Sequence, residues 1–172
     1  MCDFKKHEKK IILDDWLTTI IGKPVYHLQN FSTNFEKKDL PKNQMFIWSK
    51  VPVDDIEKLT CLQNLGFYLV DTNIQFSLSK KILLKNSSNV RFAKSSDEPA
   101  IRALAKNAFK YNRFNKDSNI SNEAASRIKE DWVGNFFLGK RGKWMVVIEK
   151  DSKIVGFLQI IDKDDHTIII DL

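Results

Sequence analysis

Cysteine is nearly absent from this chain, which carries two in 172 residues, Cys2 and Cys61. Two thiols cannot build the framework that staples small secreted domains. Cys2 sits in a polar terminus and Cys61 on an apolar helical pattern, so they read as reduced thiols of a cytoplasmic protein. Histidine is as sparse, with three residues far apart in sequence; no Cys/His cluster has metal-ligand spacing, and no metal is expected. Long hydrophobic runs are missing as well. No window approaches the ~20 apolar residues of a membrane span, and the opening MCDFKKHEKKIILDD has too short an apolar run for a signal peptide, so no membrane is expected. The six glycines never form G-x-G, and none begins a helix after a strand. That leaves no phosphate-cradling loop among these residues. Internal repeats and low-complexity tracts are lacking too.

What is present is the balance of a soluble globular chain. Hydrophobic residues make up 42% and charged residues 29%, enough to cover a core in one good-sized domain or two small ones. The net charge of +6 raises nucleic acid as a partner. However, the lysines come in scattered pairs, such as Lys9-Lys10, Lys37-Lys38 and Lys80-Lys81, and acidic residues separate most of them. That pattern describes solvated surface rather than one binding face, and it argues against nucleic acid.

The clearest seam is KNSSN, residues 85–89, polar and turn-prone between apolar runs. It divides the chain into an N-terminal α/β domain, 1–88, and a second domain, 89–172. In the first, PVYHL (24–28), QMFIWSKV (44–51), FYLVD (67–71) and IQFSLS (74–79) read as strands. Between them a helix is predicted, capped by Asp54 with Glu57, lined by Ile56, Leu59, Thr60 and Leu62, and stopped at Gly66. In the second domain, Val90–Ala93 reads as a strand. A helix follows, opened by Ser95 and Glu98 and carrying Ile101, Leu104, Ala105, Ala108 and Phe109 at helical spacing. The polar loop YNRFNKDSN leads to a helix entered at Ser121, with Ala124, Ile128, Trp132 and Phe136 as its stripe and Gly139 as its stop. WMVVIE, IVGFLQII and HTIIIDL then form a meander. The fold class is α/β, in the order β-α-α-β-β-β after the first domain.

That order resembles the first half of the GNAT family, the acetyl-coenzyme A-dependent N-acetyltransferases. Within it, the run from YNRFNKDSN through the W-V-x-N helix, the G-K-R-G turn and the I-V-G-F strand resembles the TDP-fucosamine acetyltransferase type. VYHL, FIWSKVPVDDI and LGFYLVD resemble the extra N-terminal domain of the same group. The resemblance implies acetyl-CoA as co-substrate and a small-molecule amine, such as a nucleotide-linked amino sugar, as acceptor. It also implies that the strand HTIIIDL leads on into a glycine-rich turn and a helix whose N-terminus holds the coenzyme A pyrophosphate. The general-acid tyrosine of such enzymes belongs to that later half. The chain therefore reads as a truncated, front half of an acetyltransferase. If it ends at Leu172, acetyl-CoA is not expected to bind.

Several residues are candidates for the site. Arg113, Phe114 and Asp117 lie on the interhelical loop that borders the acceptor pocket in this type of fold. Arg113 could bind a phosphate through its planar fork and Phe114 could stack on a ring. Alternatively, Arg113 pairs with Asp117 while Phe114 pins the loop to the core. Asp171 is the one acid in an aliphatic strand, and alternation places it with Ile169, opposite Ile168, Ile170 and Leu172. Its carboxylate could receive the amine proton with a pKa raised by burial, or serve as a strand-end group bonding backbone donors. The turn GKRGK (139–143) has the G-x-x-G form with which KH domains clamp nucleic acid, but here it joins a helix to a strand. Trp132 and Trp144 read as core and sheet aromatics.

Three functions stand side by side: an N-acetyltransferase, a non-catalytic module that completes its sheet through the open edge near Leu172 with a second copy or a partner, and a basic nucleic-acid-binding domain. A recruited strand marks the second, and steep salt dependence the third.

Overall fold

The computed structural model describes residues 10–42, 44–79 and 89–172. Contacts divide the chain into two compact units, Met1–Val70 and Asp71–Leu172. Apart from Asn89, the predicted seam at 85–89 lies outside the described residues. Among these residues no helix is long and apolar enough to cross a membrane.

The first unit opens with β1 (Lys10–Leu13) and α1 (Asp15–Ile21), two elements that precede the first predicted strand. Asp14 starts α1 by accepting from the Leu17 N–H at 2.9 Å, and Gly22 ends it at φ +77°, where a side chain would be strained. β2 (Val25–Gln29) runs antiparallel to β1 and parallel to β3 (Phe46–Ser49), giving the order β1-β2-β3. α2 (Ile56–Asn64) is capped by Asp55 rather than by the predicted Asp54: its Oδ1 accepts from the Lys58 N–H at 3.1 Å. Ile56 and Thr60 face solvent, against the predicted stripe, while Leu62 packs with Leu28, Phe31 and Phe35.

The predicted strands at 67–71 and 74–79 do not form. Their alternating pattern suits a sheet, but no ladder partner meets them among the described residues. Leu69 and Phe76 are 74% and 94% exposed.

The second unit holds an antiparallel sheet in the order β4-β5-β6-β7, from β4 (Val90–Phe92), β5 (Trp144–Lys150), β6 (Lys153–Asp164) and β7 (Thr167–Ile170). The predicted β-α-α-β-β-β order is present, with one more short helix. The whole is a mixed α/β chain with two sheets. α3 (Glu98–Ala108) is not opened by a Ser95–Glu98 box. A 3-10 turn at Ser95–Asp97 precedes it, in which Asp97 accepts from the Lys94 N–H at 2.7 Å, and Pro99 occupies the first turn, where its missing donor costs nothing. α4 (Arg113–Lys116) interrupts the predicted loop, capped by Asn112. α5 (Asn122–Phe137) begins as predicted at Ser121, whose Oγ accepts from the Ala124 N–H at 3.1 Å.

One face of the sheet is closed by α3 and α5. Ile101, Ala105, Val133, Met145 and Val147 form its core, each with exposure of 1% or less. The buried stripe of α5 is Ala125, Ile128, Val133 and Gly134, about one residue round from the predicted one, leaving Ala124, Trp132 and Phe136 half-buried. The cause lies in α3. The Arg102 guanidinium lies directly over Gly134, where a Cβ would collide with it, and bonds Glu98 at 2.8 Å and the Glu130 carbonyl at 3.2 Å. The helices thus approach along the Gly134 face, and Trp132 is turned toward the end of the sheet.

Candidate functional site

The candidate site lies where α4, α5, the turn after α5 and the end of β7 meet. α5 stops with Gly139 at φ +66°, and Gly142 follows at φ +81°. The two left-handed residues fold the chain back, and the Lys140 and Arg141 N–H groups both donate to the Asn135 carbonyl, at 2.8 and 3.1 Å. The GKRGK segment is thus a helix stop and a turn into β5. It projects Arg141 onto the indole of Trp132, 4.8 Å from the ring centre.

Asp171 receives that arginine. Arg141 Nε donates to Oδ2 and Nη2 to Oδ1, both at 2.6 Å, in a two-pronged pair. Trp132 Nε1 donates to Oδ2 at 2.9 Å and Gln159 Nε2 at 3.3 Å. Asp171 reaches these partners because the strand end is irregular. The Gln159 carbonyl accepts from the Asp171 N–H at 2.9 Å, while the Gln159 N–H donates to the Leu172 carbonyl at 2.8 Å. Two residues oppose one, the arrangement of a β-bulge, which places neighbouring side chains on one side. This corrects the strict alternation predicted for the strand: Leu172 packs against the core that also holds Met145 and Val147, not on the opposite face.

The charge state of Asp171 follows from these bonds. Burial alone would raise its carboxyl. The Arg141 and Trp132 hydrogen bonds, with the charges of Arg141 and Lys129, outweigh burial and hold it below the ordinary carboxylate value. The expected rise by burial does not occur. Asp171 is an ionised clamp, a carboxylate with little appetite for another proton.

The loop residues take separate places. Phe114 is 4% exposed and fixes α4 to α5, with the Arg113 guanidinium 4.4 Å from its ring centre. Asp117 is 6% exposed and caps the following turn, accepting from the Asn119 N–H at 2.9 Å. The structure therefore brings Arg113 and Phe114 to the same cluster as Asp171, while Asp117 serves the turn beside it.

One member of the cluster escaped the sequence reading. Lys129, on α5, places its ammonium 4.7 Å from the centre of the Trp132 ring, 5.1 Å from that of Phe109 and 5.9 Å from that of Phe114. Burial pushes its pKa down to about 8; the charges of Arg113 and Arg141 push the same way, and Asp171 opposes them. Gln159 is fully buried, and its Oε1 has no partner among the described residues. Two shallow grooves run along α3, and neither contains a residue of this cluster.

No protein-family profile matches the chain. Over 127 residues it is 26% identical to the spore coat polysaccharide biosynthesis protein SpsD of Bacillus subtilis (strain 168), a match covering 72% of this chain and 44% of that protein. The chain is thus similar, at a distance, to a protein of spore coat polysaccharide biosynthesis, and it spans less than half of that protein's length.

Proposed function

We propose that this chain carries the acceptor side of an acetyl-CoA-dependent N-acetyltransferase of the GNAT type, acting on the amine of a sugar such as a nucleotide-linked amino sugar. The observation that carries the reading is the likeness to SpsD, a spore coat polysaccharide biosynthesis protein. The β-α-α-β-β-β order of the second unit supports the acyl-transfer part. In the proposed reaction the amine nitrogen attacks the thioester carbonyl. The C–N bond forms, the C–S bond breaks, the nitrogen releases its proton and the thiolate leaves. Asp171 acts here as a positioning residue, holding Arg141 and Trp132 at the edge of the acceptor site. Arg113 offers its guanidinium to the acceptor, and Phe114 and Asp117 hold the α4 loop that presents it.

The test is release of free coenzyme A thiol when the native protein is given acetyl-CoA with a panel of amino sugars and their nucleotide derivatives. Thiol release that depends on one class of amine is expected. No thiol release with any amine of the panel would end the reading.

A module that completes its sheet with another chain is a second reading, favoured by β7. Ile168, Ile169 and Ile170 are 60%, 43% and 66% exposed on a strand with one hydrogen-bonded neighbour among the described residues. Sedimentation velocity over a range of concentrations tests it, and a monomer throughout would rule out self-pairing.

A further inference from the structure

Lys129 is an ammonium group with three donors and no hydrogen bond or ion pair to an acceptor among the described residues. Aromatic faces attract its charge, but they do not replace the oxygen acceptors that buried N–H groups otherwise find. The three rings come from three elements: Phe109 at the end of α3, Phe114 on α4 and Trp132 on α5. Two further cations sit on the outer rings of this box, Arg113 on Phe114 at 4.4 Å and Arg141 on Trp132 at 4.8 Å. The charged groups whose fields reach Lys129 are Arg113 from α4, Arg141 from the turn after α5, and Asp171 from the end of β7. Asp171 is the single anion of that set, and Arg141, Trp132 and Gln159 already occupy its oxygens. The Lys129 ammonium therefore meets no oxygen acceptor among the described residues, with two guanidinium groups close by.

We propose that Lys129, with Arg113 and Arg141 beside it, binds the oxyanion of a phosphate ester. The inference deepens the acetyltransferase reading, on which it rests for the source of the phosphate, either a sugar nucleotide or the coenzyme itself. A phosphate suits the cluster better than a neutral ligand does. It carries enough oxygens to accept from an ammonium and a guanidinium together, and enough charge to offset the mutual repulsion of the cations. Burial, and after it the nearby guanidinium charges, lower the Lys129 pKa to about 8, so an entering anion restores the protonated form. If only that form binds, apparent affinity follows the protonated fraction and weakens about tenfold between pH 7 and 9.

Isothermal titration of the native protein with uridine diphosphate, and separately with coenzyme A, tests the proposal. Each titration is run at pH 8 in two buffers of different ionisation enthalpy. Uptake of about half a proton per ligand is expected, because a group with a pKa of about 8 is half-protonated there. Uptake with the nucleotide assigns the site to the sugar nucleotide, and uptake with coenzyme A assigns it to the acyl carrier; either supports the site. Lys129→Arg keeps a permanent charge, so it should retain binding and lose the proton uptake. Lys129→Met keeps the stem and should weaken binding at least tenfold. Binding of neither ligand, or binding without proton uptake that Lys129→Met leaves unchanged, would overturn the proposal. These readouts are separate from thiol release. Binding with proton uptake but no turnover would overturn the acetyltransferase reading alone, and turnover with unchanged binding in Lys129→Met would overturn the phosphate site alone.

Discussion

Replacing Asp97 by asparagine removes one charge from the second unit while keeping the shape of the side chain. Asp97 is 8% exposed. Its Oδ2 accepts from Arg91 Nη1 at 2.6 Å and from the Lys94 N–H at 2.7 Å, and its Oδ1 accepts from Arg91 Nη2 at 3.1 Å. The Arg91 hydrogen bonds, then the Lys94 N–H, hold its carboxyl down at about 2. An unfolded aspartate titrates near ~3.9, and each unit of difference is worth about 1.4 kcal/mol. After a discount for the partly exposed guanidinium, the ionised carboxylate contributes about 2 kcal/mol at neutral pH. Because the folded value is depressed, this contribution is complete above about pH 4 and drains away as pH falls toward about 2. Urea unfolding of Asp97→Asn and the unsubstituted protein, followed through NMR signals of Val147 and Met145 so that only the second unit is read, checks this. The variant should be about 2 kcal/mol less stable at pH 7, and the two curves should converge near pH 2. A gap below about 0.5 kcal/mol at pH 7, or one that stays constant down to pH 2, would refute the assignment of that stability to the carboxylate charge.

Two further substitutions probe the candidate site. Trp132→Phe removes the indole donor to Asp171 and should cost about 1–3 kcal/mol in urea unfolding. It should also raise the Asp171 carboxyl in a 13C NMR titration, shifting the loss of stability in acid to higher pH. Gly142→Ala places a Cβ 3.1 Å from Gln159 Cγ and Nε2 at a residue with φ +81°, so strain and crowding coincide. It should destabilise the second unit by about 1–2 kcal/mol and weaken the Gln159–Asp171 contact, visible as a shifted Gln159 side-chain amide signal.

Much of the second unit was legible because its signals are local. Ser121 and Gly139 bracket α5 in sequence as in space, and the meander strands are separated by short charged turns. The errors arose where distant groups decide. The cap expected at Asp54 is made by its neighbour Asp55, and Leu62 of the helix that follows packs against Leu28 and Phe35, residues far away in sequence. The strand pattern of 74–79 is real, but a strand needs a neighbour, and pattern alone does not supply one. Lys129 was invisible for the same reason. On a helix a lysine reads as solvated charge, and its setting is made by rings from α3, α4 and its own helix. Asp171 stood out in an aliphatic strand, yet its pKa direction depended on Arg141, thirty residues away.

The placement of β4 has a kinetic consequence. β5, β6 and β7 pair with their immediate neighbours across short turns and can zip as a local unit. β4 pairs with β5 only after α3, α4 and α5 have been laid down between them, so its docking must close the longest loop of the sheet. It is also only three residues long. Arg91, in the middle of β4, bonds both Asp97 at the start of α3 and Glu149 on β5. This places an arginine that bonds two carboxylates on the shortest strand of the sheet. That side chain ties β4 to its neighbours, and amide exchange at Ala93, whose N–H donates to the Met145 carbonyl at 2.8 Å, should report the rate at which the latch opens.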